Sequence, residues 1–371
     1  MMEYRSCLLC ERSQAIELSK TIFKPNMGDQ FLCLFSEKNI DRMLIAIDDN
    51  IIVSMVNYYP ATVLLQQAKI TTGSVGSVGT IPEYRGKKIA SKLLKIAEDK
   101  MLSEAITLMI ISGQGGLYSA IGADYAGNAT EWFAEYEKTP KLPLISLKPY
   151  ADSLFPQLKA IYEQEHVRYL RDNDEFRLLI KGQTFPDSYA TYPFEMILHD
   201  GNIVAYVILQ LENNPERLDL GIKEYGGDRA AIVAAFKLLL AKYNKKIMHF
   251  ASDPHDEIEQ YLSGCEKKQI HQFTSFKIID FQGFMHQLKP YWEAIVPESK
   301  PSFKYSEASN NYFLFWGNER LQIEDITLLT RMIFGYDQDL NLDYSQCPLL
   351  EAFVKQVFPI PFAWTHNINY Q

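Results

Sequence analysis

Val78-Gly-Thr-Ile-Pro-Glu-Tyr-Arg-Gly-Lys-Lys-Ile-Ala90 is the stretch on which the reading of this 371-residue chain turns. It ends an apolar run, 73–81, that reads as a strand. It opens a segment in which Ile89, Leu93, Leu94, Ile96, Ala97 and Met101 recur at helical spacing. A strand that passes through a glycine-containing turn into a helix aims several backbone N–H groups in one direction, and the positive end of the helix dipole adds to them. Such a turn suits a phosphate or pyrophosphate. Gly86 lets the anion approach the backbone, and Arg85, Lys87 and Lys88 surround it with cations. A solvated basic helix start behind a Pro-Glu turn is the plainer alternative. Two other nucleotide motifs do not fit. Gly73-x-x-Gly76-x-x-Gly79 is not G-x-G-x-x-G, and no G-x-x-x-x-G-K-[S/T] occurs.

Outward from the motif, 4–9 reads as a strand and 11–22 as a helix. The apolar runs 42–47 and 51–58 flank Asp48-Asp49-Asn50 as a hairpin. The continuous apolar run 106–111 suits a strand buried on both faces, and a short helix is expected near Leu117 after Gly113-Gln-Gly-Gly116. This order is that of a mixed α/β layer structure. Three prolines within 138–149 mark a boundary, after which the pattern returns: a helix over 151–170, a hairpin over 195–199 and 202–211 about Asp200-Gly201, and an apolar helix over 230–241. Glu224-Tyr-Gly-Gly227 echoes Glu83-Tyr-Arg-Gly86 between a strand and a helix, which points to an internal duplication. Where the first copy has Lys87-Lys88 the second has Asp228-Arg229, so the second reads as a scaffold. From 276 the pattern changes to helices over 281–294 and 323–334 around a β-like run, 312–316. The tail, 358–371, is unusually apolar and aromatic, as expected of a packed segment.

A net charge of -9 argues against a general nucleic-acid or anionic-membrane surface. Five scattered cysteines do not make a disulfide framework, and Cys7-Leu-Leu-Cys10 has no second pair at zinc-finger spacing. Asp253-Pro-His255-Asp256-Glu257 reads as a helix N-terminus, so no metal is expected. The first residues lack the apolar stretch of a signal peptide, and the most apolar helix is short and interrupted by Lys237. The expectation is a cytoplasmic protein without a membrane or nucleic-acid partner; homo-oligomerisation stays open.

Val78-x-Thr80-x-Pro82-x-x-Arg85-Gly86-x-x-x-Ala90, with Leu117-Tyr118-x-x-x-Gly122-Ala123 beyond the next strand, resembles the GNAT N-acetyltransferases, and in plan their enhanced-intracellular-survival (Eis-like) branch. The chain departs from the family's loop in having Glu83 at its first position and Lys88 at its last. The resemblance implies an α/β (α+β) fold of tandem GNAT units, each a mixed, mostly antiparallel sheet with flanking helices. An active unit would span 1–145, a degenerate one 146–275 and a sterol-carrier-like α+β domain 276–371. It implies acetyl-CoA as acetyl donor, held by Val78, Gly79, Thr80, Arg85, Gly86, Lys87, Lys88, Ile89, Ala90, Ser91 and Tyr118. The Val78 backbone would receive the thioester oxygen, Tyr118 would protonate the departing thiolate, and the carboxylate of Gln371 would take the proton of an acceptor amine; His366 is an alternative base. The implied reaction is direct transfer to a primary amine of a polyamine, aminoglycoside or peptide lysine. A non-catalytic acyl-CoA-binding regulatory module is the alternative, motivated by Glu83 and Lys88.

Overall fold

The computed structural model describes residues 2–23, 27–113, 115–298, 300–335, 340 and 342–370. The chain begins with β1 (Glu3–Ser6), α1 (Arg12–Ile22) and the short α2 (Met27–Gln30). Then follow β2 (Met43–Asp48), β3 (Ile51–Leu65), β4 (Ala68–Thr80), α3 (Ile89–Ser103), β5 (Leu108–Ser112), the short α4 (Gly116–Ser119) and β6 (Asp124–Tyr125). Asp49 and Asn50 have φ of 48° and 65°, the two left-handed residues that a tight hairpin between right-twisted strands requires. On one face of the sheet, α3 buries Ile89, Leu93, Leu94, Ala97 and Met101 against Val53, Val56, Val75, Met109 and Ile111. On the other, Met55 and Ile52 pack with Ala15 and Leu18 of α1. The strict helical spacing of the α3 residues is what selects the buried side.

The middle of the chain supplies β7 (Asn128–Glu135), β8 (Ile145–Pro149), α5 (Phe155–Tyr162), β9 (Val167–Tyr169), α6 (Asn173–Gln183) and β10 (Ala190–Thr191). It continues through β11 (Phe194–His199), β12 (Asn202–Glu212), β13 (Asp219–Gly227), α7 (Arg229–Tyr243), β14 (Ile247–Ser252) and β15 (Glu266–His271). Two sheets result, mostly antiparallel, each with one parallel pair: β4 with β5, and β13 with β14. The unit β4–α3–β5 is thus repeated as β13–α7–β14, as the duplication predicts.

The local echo is displaced, however. Glu224–Gly227 lies inside β13, whereas Glu83–Gly86 lies in the turn before α3. A single residue, Asp228, joins β13 to α7, so the second copy lacks the long turn altogether. The helix expected over 151–170 is also shorter, ending at Tyr162 before β9.

The sheets exchange strands. β7 lies in the second sheet between β14 and β15, and β16 (Thr274–Ile278) lies in the first between β5 and β6. β9 pairs with the far end of β3. Sheet membership therefore crosses both expected boundaries, near 145 and 275. The chain ends with α8 (Phe281–Ile295), a three-stranded sheet of β17 (Ser302–Ser306), β18 (Asn311–Trp316) and β19 (Glu319–Ile323), then α9 (Ile326–Phe334) and α10 (Pro348–Val357). Its core is continuous with the first sheet: Phe284, Leu288 and Phe334 join one cluster with Val63, Ile110 and Phe276.

Candidate active site

β4 and β5 are paired only from Thr72–Leu108 to Val75–Ile111. Beyond Val75 the strands diverge, and β4 carries a bulge there. Asn57 faces Gly76 and Met55 faces Gly79, so Ser77 and Val78 together oppose Val56. Ser77 takes φ 53°, and the register of Val78 is broken from the β3 ladder.

After β4, Pro82–Tyr84 form one 3-10 turn, tied down by the Tyr84 hydroxyl donating to Asp48 Oδ2 at 3.0 Å. Gly86 has φ 76°, and a Cβ there would meet nothing within 4 Å, so the surface above it is open. Lys88 is the residue before α3 and adopts the left-handed conformation, φ 58° and ψ 22°. That is the physical reason a glycine suits this position; a lysine there carries strain of about 1 kcal/mol. No side chain caps α3, so the first N–H groups of the helix are left for an external acceptor.

A cleft of about 420 Å³ lies over this turn. Val78, Gly79, Thr80, Arg85, Gly86, Lys88, Ile89, Ala90 and Ser91 all line it, with Ile22 of α1 and Leu117 of α4 as its apolar walls. Lys87 is not among the lining residues, but its Nζ lies 4.3 Å from the ring centroid of Tyr84, which is. Tyr118, next to Leu117 in α4, is half-buried and does not itself line the cleft. Burial raises its phenol above the ordinary value, and the neighbouring phenol of Tyr370 adds to the effect.

At the counterpart in the second sheet, which borders a cavity of about 910 Å³, the helix start is occupied by the protein's own carboxylates. Asp228 caps α7 by accepting from the Ala231 N–H at 3.0 Å, and the Gly227 N–H donates to Glu165 Oε1 at 2.7 Å. Arg229 is held between Glu165 and Asp256, at 2.6 and 2.9 Å. Asp256 also caps the next helical turn, which agrees with reading 253–257 as a helix start. Carboxylates therefore occupy the place that the first copy leaves open to an anion. The sequence shows Asp228, but Glu165 lies 62 positions from Gly227 and no local pattern reveals it.

The tail runs between the two sheets. Thr365 and Thr274 share a hydrogen bond of 2.7 Å, and Arg171 Nε donates to Asn369 Oδ1 at 2.7 Å. The Ile368 N–H donates to Glu224 Oε2 at 3.3 Å, and Gln183 Nε2 to the Tyr370 carbonyl at 2.6 Å. Arg171 and Glu224 form a buried two-point ion pair, 2.9 and 2.8 Å, that also receives the Tyr206 hydroxyl at 2.9 Å. Tyr370 thereby reaches the neighbourhood of Tyr118 and Tyr125. Gln371 lies outside the described residues. His366 stacks on Tyr370, ring centroids 5.0 Å apart, and burial with the nearby Lys223 depresses its imidazole to about 4. It stays neutral at pH 7.

Among the described residues no cluster of three or more His, Cys, Asp or Glu is placed to hold a metal, and no helix is long and apolar enough to cross a membrane.

Residues 3–126 match the family model described as Acetyltransferase (GNAT) domain. The matched stretch holds β1 to β6, α3 and every residue that lines the cleft. Over nearly its whole length the fold matches a GCN5-related N-acetyltransferase from Anabaena variabilis, with TM-score 0.69, 14% identity and coverage of 98% of this chain and 100% of that one. Eis1 from Mycobacterium abscessus matches at TM-score 0.62 and 12% identity over 89% and 88% of the two chains. A GCN5-related N-acetyltransferase from Kribbella flavida matches at TM-score 0.58 and 10% identity over 88% and 83%. These likenesses are of fold, and they extend over both sheets. No curated protein matches the chain in sequence.

Proposed function

We propose that the cleft over 78–91 binds acetyl-CoA and that its acetyl group passes directly to a primary amine within a ternary complex. The observation that carries this reading is the contrast between the two copies. The N-terminus of α3 is uncapped and cationic, whereas that of α7 is occupied by Asp228 and its turn by Glu165. In this reading Gly86, Lys88 and the first turn of α3, Ile89–Ser91, receive the pyrophosphate, with Arg85 and Lys87 as counter-charges. Val78 and Gly79, at the bulge, hold the thioester, and the Val78 N–H stabilises the oxyanion as the amine attacks. The C–N bond forms, the C–S bond breaks, and Tyr118 gives its proton to the thiolate. A phenol kept protonated by burial suits that role.

The amine must lose a proton before or during attack. The Gln371 carboxylate is the proposed base, supported by the path of the tail as far as Tyr370, and a C-terminal extension that leaves activity whole would remove it. The free cysteines suit the cytoplasmic placement we propose. The third unit, with its small sheet and α8–α10, remains sterol-carrier-like as a proposal, as do the three domain limits.

Thiol release from acetyl-CoA with n-butylamine, 1,5-diaminopentane, Nα-acetyl-lysine amide and kanamycin tests the reaction. The expected result is release with at least one amine. CoA binding by calorimetry without release from any of them favours the non-catalytic module instead.

A further inference from the structure

Two polar atoms at the bulge have no partner. Asn57 Oδ1 and Ser77 Oγ are both buried, and among the described residues neither makes a hydrogen bond. The Asn57 amide nitrogen reaches only Met55 Sδ, at 3.9 Å. Leaving a buried polar atom unpaired costs about 1–3 kcal/mol, and these two belong to one bulge beside the cleft. They lie at the same point of the ladder: Asn57 pairs with Gly76, the residue before Ser77. Val75 and Val78 both join the cluster under α3, with Gly76 and Ser77 between them. Asn57 lies on the opposite face, between Met55 and Tyr59, which pack against the α1 side. Along the same face Tyr59 donates its hydroxyl to Glu175 Oε1 at 3.1 Å. Glu175 stands on α6, so the second segment supplies a carboxylate to the first domain's sheet.

We propose that Asn57 and Ser77 seat the nitrogen of the acceptor amine, with Glu175 as the counter-charge that draws it in. This deepens the acetyltransferase reading and rests on it. A neutral primary amine has two N–H groups and one lone pair. Two hydrogen-bond acceptors beside Val78 take both hydrogens and leave the lone pair aimed toward the thioester carbon. A secondary amine has one N–H and leaves one buried acceptor unpaired, which discriminates by about ten- to a hundredfold. The seat is therefore a device for primary amines, and it explains why the fold tolerates two orphaned atoms there.

The experiment compares kcat/KM for each primary amine that the wild type acetylates, among n-butylamine, 1,5-diaminopentane and Nα-acetyl-lysine amide, with its N-methyl analogue. Asn57→Leu and Ser77→Ala are measured in the same way, alongside acetyl-CoA affinity by calorimetry and Tm. The expected wild-type preference for the primary amine is about tenfold or more. Each variant should lose most of that preference and raise the amine KM about tenfold, with acetyl-CoA affinity unchanged and Tm equal or higher. Glu175→Gln should raise the amine KM and keep the preference. Unchanged selectivity in both variants overturns the seat while leaving the acetyltransferase reading intact. A lowered Tm with selectivity retained shows a structural role instead. A wild type that binds acetyl-CoA but acetylates none of the three overturns this inference and, if kanamycin also fails, the reading beneath it.

Discussion

Tyr118 and His366 are both half-buried aromatic groups near the end of the tail, and desolvation moves them in opposite directions. The phenol of Tyr118 is raised, which favours its protonated form, and Tyr118→Phe should lower kcat by about 10²–10⁴ with acetyl-CoA affinity unchanged in calorimetry. An unaltered rate removes the acid assignment. The imidazole of His366 is depressed to about 4 against an ordinary 6.5. As pH falls through 6.5 the unfolded chain takes up a proton that the folded one refuses. Stability present above that pH is then lost down to about 4. Between pH 7 and 5 the loss should reach about 2 kcal/mol, and His366→Phe should flatten that part of the Tm–pH curve. At this scale much was legible. Gly86 and Lys88 lie in a turn before a helix and Tyr118 in a short helix, as the pattern reads, because turns and helix starts are local. Asn57, Ser77 and Glu165 were not legible. Their significance comes from partners, or missing partners, set by distant strands.

At the scale of elements, the turns Asp49-Asn50 and Asp200-Gly201 were readable because left-handed residues announce a hairpin. Strand exchange was not, since an apolar strand carries no label for its neighbour. β7 reads equally well as the last strand of the first unit, yet its register runs Met248 opposite Ala134 and Gln269 opposite Thr130 in the second sheet. β16 fills the gap it leaves, with Phe276 opposite Ile110. A fragment of residues 1–145 should therefore fail to fold, lacking β16 and carrying an unpaired β7. Circular dichroism and size-exclusion behaviour of the fragment beside the full chain check this. A monomeric, cooperatively melting fragment contradicts the exchange. A fragment that also holds acetyl-CoA makes the later strands dispensable.

Over the whole molecule, the buried Arg171–Glu224 pair is the point at which the second sheet holds the tail. The Arg171 side chain has 0% exposure, so removing its partner leaves an uncompensated charge. Glu224→Leu should cost about 3–5 kcal/mol in chemical denaturation, much of it restored in the Arg171→Met, Glu224→Leu double variant. Activity should stay low in both, because Ile368 and Asn369 lose their anchors. Recovery of activity with stability would show that the tail's position is immaterial to turnover. The exchanged strands also set an order in time. Roughly 160 residues separate β5 from β16, the strand that covers its edge. At a synthesis rate of about 5–20 residues per second, the first sheet waits some 8–30 s on the ribosome with that edge unpaired. The part of this chain that holds the cleft is therefore the first to be made and cannot be the first to finish folding, and a nascent-chain chaperone has its longest opportunity there.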